Sequence, residues 1–305
     1  MNLAELRREI QAERISQAGR TTLVWGPPRT GKTRWAATIA KAPQIKKVFF
    51  FDFENGYETI IYAKDKDGNP YFTDEELTKI QVIRCIDLPD IPRAINTAEA
   101  VFRYRQRTIR LDGETGAFKG KEKTHLDTDI VIEPSDWNAE TAFVLDTIGQ
   151  IGISALNQAI IDKPDAKDNR LWYMAATNQL NNFFTTVQAS PAYVIACTHV
   201  LEKEVVLATD KSGNPTRTRQ ELYPLCLSRN YSMNVGRSFG SIIYRYIELN
   251  KFAHLSSPIK KSGIQAGTRT GIDVSTDVDM TLPQVLKLIQ AEVEAEAKPK
   301  LMRKS

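Results

Sequence analysis

The 305-residue chain has little cysteine and little surplus charge. Its three cysteines, Cys85, Cys197 and Cys226, are an odd number without zinc spacing. Cys85 and Cys197 fall in apolar runs and read as reduced core residues. A formal net charge of +4 permits an acidic partner without demanding one. No apolar stretch is long enough to cross a bilayer. The first ten residues carry Glu5, Arg7, Arg8 and Glu9 and no apolar run, unlike a secretory signal. No internal repeat is present; KDGNP and KSGNP are alike only as turn chemistry. These absences predict a soluble, cytoplasmic protein with no membrane partner. What the chain does have is 42% hydrophobic residues, enough for a real core and too many for global disorder.

The periodicity predicts an α/β fold. TTLVW (21–25) is a short buried strand, and the segment from Thr33 to Pro43 reads as a helix with Ala36, Ile39 and Ala40 on one face. KVFFFDF is a second strand whose phenylalanines do not alternate with polar residues, so both its faces are expected to be covered. IQVIRCI (80–86), TAFVLDTI (141–148), AYVIACTH and GSIIYRYIEL (240–249) are further strands. Helical patterns cover IPRAINTAEAVFRYRQR, about 150–161 and 171–189. Buried strands alternating with helices predict a mostly parallel, doubly wound sheet. Two polar stretches, 108–138 and 202–223, read as inserted β-hairpins. The expected division is an N-terminal helix over 1–19, a core over 20–250, and an extension over 251–305 with a closing helix capped by Thr281 and a basic tail.

Residues 26–33, GPPRTGKT, fit G-x-x-x-x-G-K-[ST] without a mismatch, after a strand and at the start of a helix. Gly26, Pro27, Pro28, Arg29, Thr30, Gly31, Lys32 and Thr33 are the candidate nucleotide-binding residues. Amides from about Arg29 to Thr33 can converge on phosphate oxygens; Pro27 and Pro28 lack donors but precede them. Lys32 is placed to reach the β- and γ-phosphates and the Thr33 hydroxyl to ligate Mg²⁺. Arg29 stands where GPPGTGKT has glycine. Asp146, ending an apolar strand, is the candidate second Mg²⁺ contact. In AAA+ ATPases a glutamate usually follows this aspartate and polarises the attacking water. Here the next residue is Thr147, so the acid must come from elsewhere.

Asp52 and Glu54, at the end of the second strand, resemble the D-x-E pattern of RecA-like ATPases. That resemblance implies that the second strand lies beside the P-loop strand, that Glu54 orients the attacking water, and that Asp52 supports the turn. It further implies that His199, in the place of a polar γ-phosphate sensor, passes a signal to a DNA-facing loop; a lone histidine there is otherwise structural. The loop is then 202–223, with Lys203, Lys211, Arg217 and Arg219 as DNA-contact candidates, diluted by Glu202, Glu204, Asp210 and Glu221. A solvated hairpin is the alternative.

The series GPPRTGKT, FDFENG, FVLDT, ACTH and LYPLC is similar to the small phage-encoded RecA-like ATPases of the Sak-type group, phage nucleotide-binding AAA proteins of single-strand annealing and recombination. The resemblance covers about 20–250, and the 108–138 insertion departs from a minimal RecA core. It implies an ATP- and Mg²⁺-dependent ATPase acting with single-stranded DNA in the bacterial host cytoplasm. It also implies a ring or filament of identical subunits, and a phage single-strand-binding protein as a further partner. A basic finger from the next subunit would come from Lys260, Lys261 or Arg269. The alternatives are a helicase-like or loader ATPase and a nucleotide-dependent oligomeric scaffold without DNA binding.

Overall fold

A computed structural model of the chain describes residues 2, 19–118, 129–209, 212, 214–248, 251–256, 264–268, 273–275 and 279–297. The expected N-terminal helix, the basic tail, Lys119, Lys121, Lys123, Lys211, Lys260, Lys261 and Arg269 lie outside the described residues.

In chain order the strands are β1 (Thr21–Trp25), β2 (Lys47–Asp52), β3 (Ile80–Arg84), β4 (Ile109–Asp112), β5 (Asp129–Ile132) and β6 (Thr141–Asp146). They continue as β7 (Tyr193–Thr198), β8 (Val200–Thr209), β9 (Pro215–Pro224), β10 (Ser241–Glu248), β11 (Lys251–Leu255) and β12 (Gly267–Thr268). The central sheet runs β11–β10–β1–β7–β6–β2–β3, with β12 also beside β10. Its six strands from β10 to β3 are parallel, while β11 and β12 are antiparallel to β10. The expected placement of the second strand is corrected here: β2 pairs with β6 and β3, and β7 and β6 stand between it and β1. The crossover through the P-loop helix (Lys32–Ala37) steps past two positions that later strands fill, and no local pattern records the size of such a step.

Both faces of the sheet are covered, as the unbroken apolar runs require. Phe49 and Phe51 enter one core cluster with Phe143 and Leu145; Val48 and Phe50 enter the other. The first cluster is closed by the helices Arg93–Arg103, Ile148–Asp162 and Arg170–Gln188. The second is closed by the P-loop helix and by the closing helix Leu282–Ala297, whose Leu282, Val285, Leu286 and Ile289 pack with Trp35, Ala36 and Ile39. Each fully buried phenylalanine contributes about 2–3 kcal/mol. The closing helix starts after Thr281, but Gln284 Oε1 does the accepting, at 2.7 Å from Thr281 N and 3.0 Å from its hydroxyl.

The two inserted hairpins form as β4–β5 and β8–β9. Among the described residues, no helix is long and apolar enough to cross a membrane.

Candidate functional site

Parallel strands that end together bring their C-terminal loops to one edge. Asp52 of β2 is level with Asp146 of β6, and Asp146 with Cys197 of β7. Glu54 and His199, each two residues beyond a level partner, meet across Thr147. At this edge lies a cavity of about 480 Å³, lined by Arg29, Lys32, Thr33, Glu54, Asp146 and His199 among others.

The phosphate loop is shaped by close backbone approach. A Cβ on Gly26 would fall 2.0 Å from the carbonyl oxygen of Arg245 in the neighbouring β10, which excludes any side chain. Gly31, just before the P-loop helix, has φ 69°, where glycine is unpenalised. The Thr30 hydroxyl donates to Pro27 O at 2.9 Å and braces the loop. Lys32 Nζ donates to the carbonyls of Gly26 (3.0 Å) and Pro27 (2.8 Å), which hold the ammonium inside the loop. Burial pulls this lysine below its ordinary pKa, while the carboxylates of Asp146 and Glu54 push it back up.

The Thr33 hydroxyl donates to Asp146 Oδ2 at 2.6 Å. Burial pushes the Asp146 carboxyl up to about 6, against the Thr33 bond and with help from the charges of Asp52 and Glu54. Gly56 crosses close by, where a Cβ would stand 3.1 Å from Asp146 Oδ2. A hydroxyl and a carboxylate are hard oxygen donors that suit Mg²⁺. Among the described residues no group of three or more His, Cys, Asp or Glu could hold a metal.

The Glu54 turn is built by Asp52. This buried carboxylate accepts from the N–H groups of Glu54 (3.1 Å), Gly56 (2.9 Å) and Tyr57 (3.3 Å). Glu54 then receives the Thr147 hydroxyl on Oε1 at 2.8 Å and faces His199 Nε2 from Oε2 at 3.2 Å. The His199 bond, then the Thr147 bond, hold the Glu54 carboxyl below its ordinary value despite partial burial. An ionised carboxylate fixed on both oxygens thus stands in the cavity with the phosphate loop.

Three further residues shape the site in ways that the sequence reading did not assign. Thr147 was read only for the glutamate it replaces. Arg245, fully buried in β10, lies 3.2 Å from Asp279 Oδ1 and 4.8 Å over the Trp35 ring, with Nε 3.5 Å from Thr30 O. Asp279 also sits 3.6 Å from Arg34 of the P-loop helix. The signal available was one arginine inside the mostly apolar run IIYRYI of β10.

The β8–β9 hairpin begins at the cavity edge: Leu225 N donates to His199 O at 2.9 Å, and the Thr198 hydroxyl donates to Leu225 O at 2.5 Å. Its cations are not a free row. Arg219 is ion-paired with Glu221, which also accepts from the Tyr223 hydroxyl. Lys203 lies against Met233 Sδ at 3.5 Å. Arg217 is exposed.

Comparison with known proteins adds the family. No curated protein matches the chain. Similar solved structures include an ATPase from the type III secretion system of pathogenic bacteria, 12% identical, with 94% of this chain and 68% of that one covered at a TM-score of 0.42. Another is the RadB recombinase, 14% identical, with coverages of 78% and 80% and a TM-score of 0.37. The family model described as AAA domain matches residues 18–223, which hold the P-loop, β2, β6, β7 and nearly all of the β8–β9 hairpin. By that match the chain belongs to the AAA domain family, and the protein is a P-loop ATPase built on a mostly parallel sheet.

Proposed function

We propose that the protein hydrolyses ATP with water oriented by Glu54 and couples this to single-stranded DNA, in recombination or annealing. The observation that carries the reading is the Glu54 carboxylate, held by Thr147 and His199 in the cavity that contains Lys32, Thr33 and Asp146. The loop amides and Lys32 bind the β- and γ-phosphates. Thr33 and Asp146 would hold Mg²⁺, which would neutralise phosphate charge. Glu54 accepts a hydrogen bond from the attacking water. The water oxygen bonds to the γ-phosphorus as the bond to the β,γ-bridging oxygen breaks, its electron pair leaving on ADP; the water proton passes to Glu54.

His199 is the link to DNA in this reading. Its side chain faces Glu54 while its carbonyl accepts from Leu225 at the hairpin root, so a γ-phosphate that moves Glu54 also moves the hairpin. Lys203, Arg217, Arg219 and Lys211 supply the phosphate contacts. The pairing of Arg219 with Glu221 favours a second reading, a nucleotide-dependent oligomeric scaffold whose hairpin meets protein. ATP turnover with and without single-stranded DNA decides between them, with Lys32→Ala as the inactive control. Stimulation by DNA supports the first; turnover indifferent to DNA, with a nucleotide-dependent change in oligomer size, supports the second. Undiminished hydrolysis by a folded Lys32→Ala protein would refute the site itself.

A further inference from the structure

The phosphate loop carries a cation that cradling phosphates does not require. Arg29 lines the same cavity as Lys32 and Glu54. Its backbone has φ 63°, the left-handed region in which a Cβ is penalised and glycine is the ordinary occupant. Backbone strain of this kind collects where function retains it.

The other cavity-lining cations are engaged. Lys32 is held by two loop carbonyls. Arg34 lies 4.7 Å from the ring centroids of both Tyr71 and Phe252, beside Asp279. Arg29 is exposed and has no ion pair or hydrogen bond with any described residue. A guanidinium without a carboxylate partner, at the mouth of a phosphate cavity, is matched in charge and shape to phosphoryl oxygens.

We propose that Arg29 is a catalytic residue acting within its own subunit. Its guanidinium engages the γ-phosphoryl oxygens while the water oxygen bonds to the γ-phosphorus and ADP departs with the electron pair of the broken bond. This rests on the ATPase reading above and deepens it: the charge that a neighbouring subunit's finger would supply is already in the loop. The Lys32 ammonium neutralises the nucleotide as bound; Arg29 adds charge where it spreads over the transferring group.

The test uses Arg29→Gly, which suits φ 63° better than arginine and so keeps the fold, together with Arg29→Lys. Arg29→Gly is expected to melt no lower than wild type. Its kcat should fall at least ~10³-fold, the low side of an arginine-finger effect, with KM little moved. Arg29→Lys should recover only part of the loss. A binding readout runs alongside: Mg·ADP with aluminium fluoride, which mimics the transferring phosphoryl group, should bind Arg29→Gly more weakly while Mg·ADP alone binds as in wild type. Wild-type turnover by Arg29→Gly would overturn the proposal and, with Lys32→Ala inactive, leave the ATPase reading standing. Restored turnover on mixing Arg29→Gly with excess Lys32→Ala subunits would overturn action within the subunit. No hydrolysis by the wild-type protein under any condition would remove the ATPase reading, and this proposal with it.

Discussion

Asp146 has to satisfy two opposed demands. It ends a core strand at 3% exposure, and in the proposed site it would have to be ionised to hold a cation. Burial raises its carboxyl from an ordinary 3.8 to about 6. Because the folded-state value lies above the unfolded one, the stability associated with the protonated acid is whole below about pH 4 and is lost as the pH rises through about 6. At ~1.4 kcal/mol per pH unit, ionised Asp146 destabilises the ligand-free protein by about 3 kcal/mol at pH 8. Asp146→Asn removes the charge and keeps an oxygen for the Thr33 hydroxyl. The ligand-free variant should therefore be more stable than wild type by up to about 3 kcal/mol at pH 8, with the gap closing toward pH 4. Urea denaturation across that range, without divalent cations, measures it. Adding Mg²⁺ and a non-hydrolysable ATP analogue should reverse the order, because only wild type gains the ion's binding energy. A variant no more stable than wild type at pH 8, or a gap indifferent to pH, would refute the assignment of Asp146 as a buried carboxylate kept charged for a metal.

Glu54→Gln retains the shape but not the charge; nucleotide affinity should persist while single-turnover hydrolysis falls by ~10²-fold or more, the size of a general-base effect. His199→Ala removes the bond that most lowers the Glu54 carboxyl, so the acidic limb of the kcat/KM–pH profile should move to higher pH. The same variant should bind ATP normally yet lose DNA stimulation of turnover, a pair of readouts that a merely structural histidine would not separate.

What could be read from the sequence is what local pattern encodes. The strands at 21–25, 141–146 and 193–198 follow from apolar runs too long to be half wet, and the phosphate loop from residue types that only its backbone geometry demands. The turn-supporting role of Asp52 was legible because an aspartate before Glu-Asn-Gly can accept the N–H groups that follow it. Long-range pairing was not. Nothing near β2 says that β6, almost ninety residues later, becomes its neighbour rather than β1. Arg245 and Asp279 are far apart in sequence and meet only when β10 and the closing segment fold against the P-loop helix. The dilution of hairpin charge by Glu221 was legible, but its partner was not: Arg219 and Glu221, two residues apart in a strand, share a face and pair.

Strand order then accounts for the chemistry of the site. In a parallel sheet, residues level with one another in register end at the same height, so a side chain's reach over the edge depends on how far past the level it lies. With β2 beside β6, Asp52 and Asp146 are level. Asp52 is spent on the turn, and Glu54, two residues on, rises over the edge toward Thr147. A threonine after Asp146 is therefore no gap in the machinery. Its short hydroxyl donates across to Glu54 at 2.8 Å, whereas a glutamate in its place would bring a second carboxylate against the first. On the other flank β7 is level with β6 at Cys197 and Asp146, which lifts His199 to the height of Glu54. The hairpin that leaves directly after His199, some ten residues long on each arm, is thus joined to the Glu54 carboxylate by one side chain and one backbone hydrogen bond.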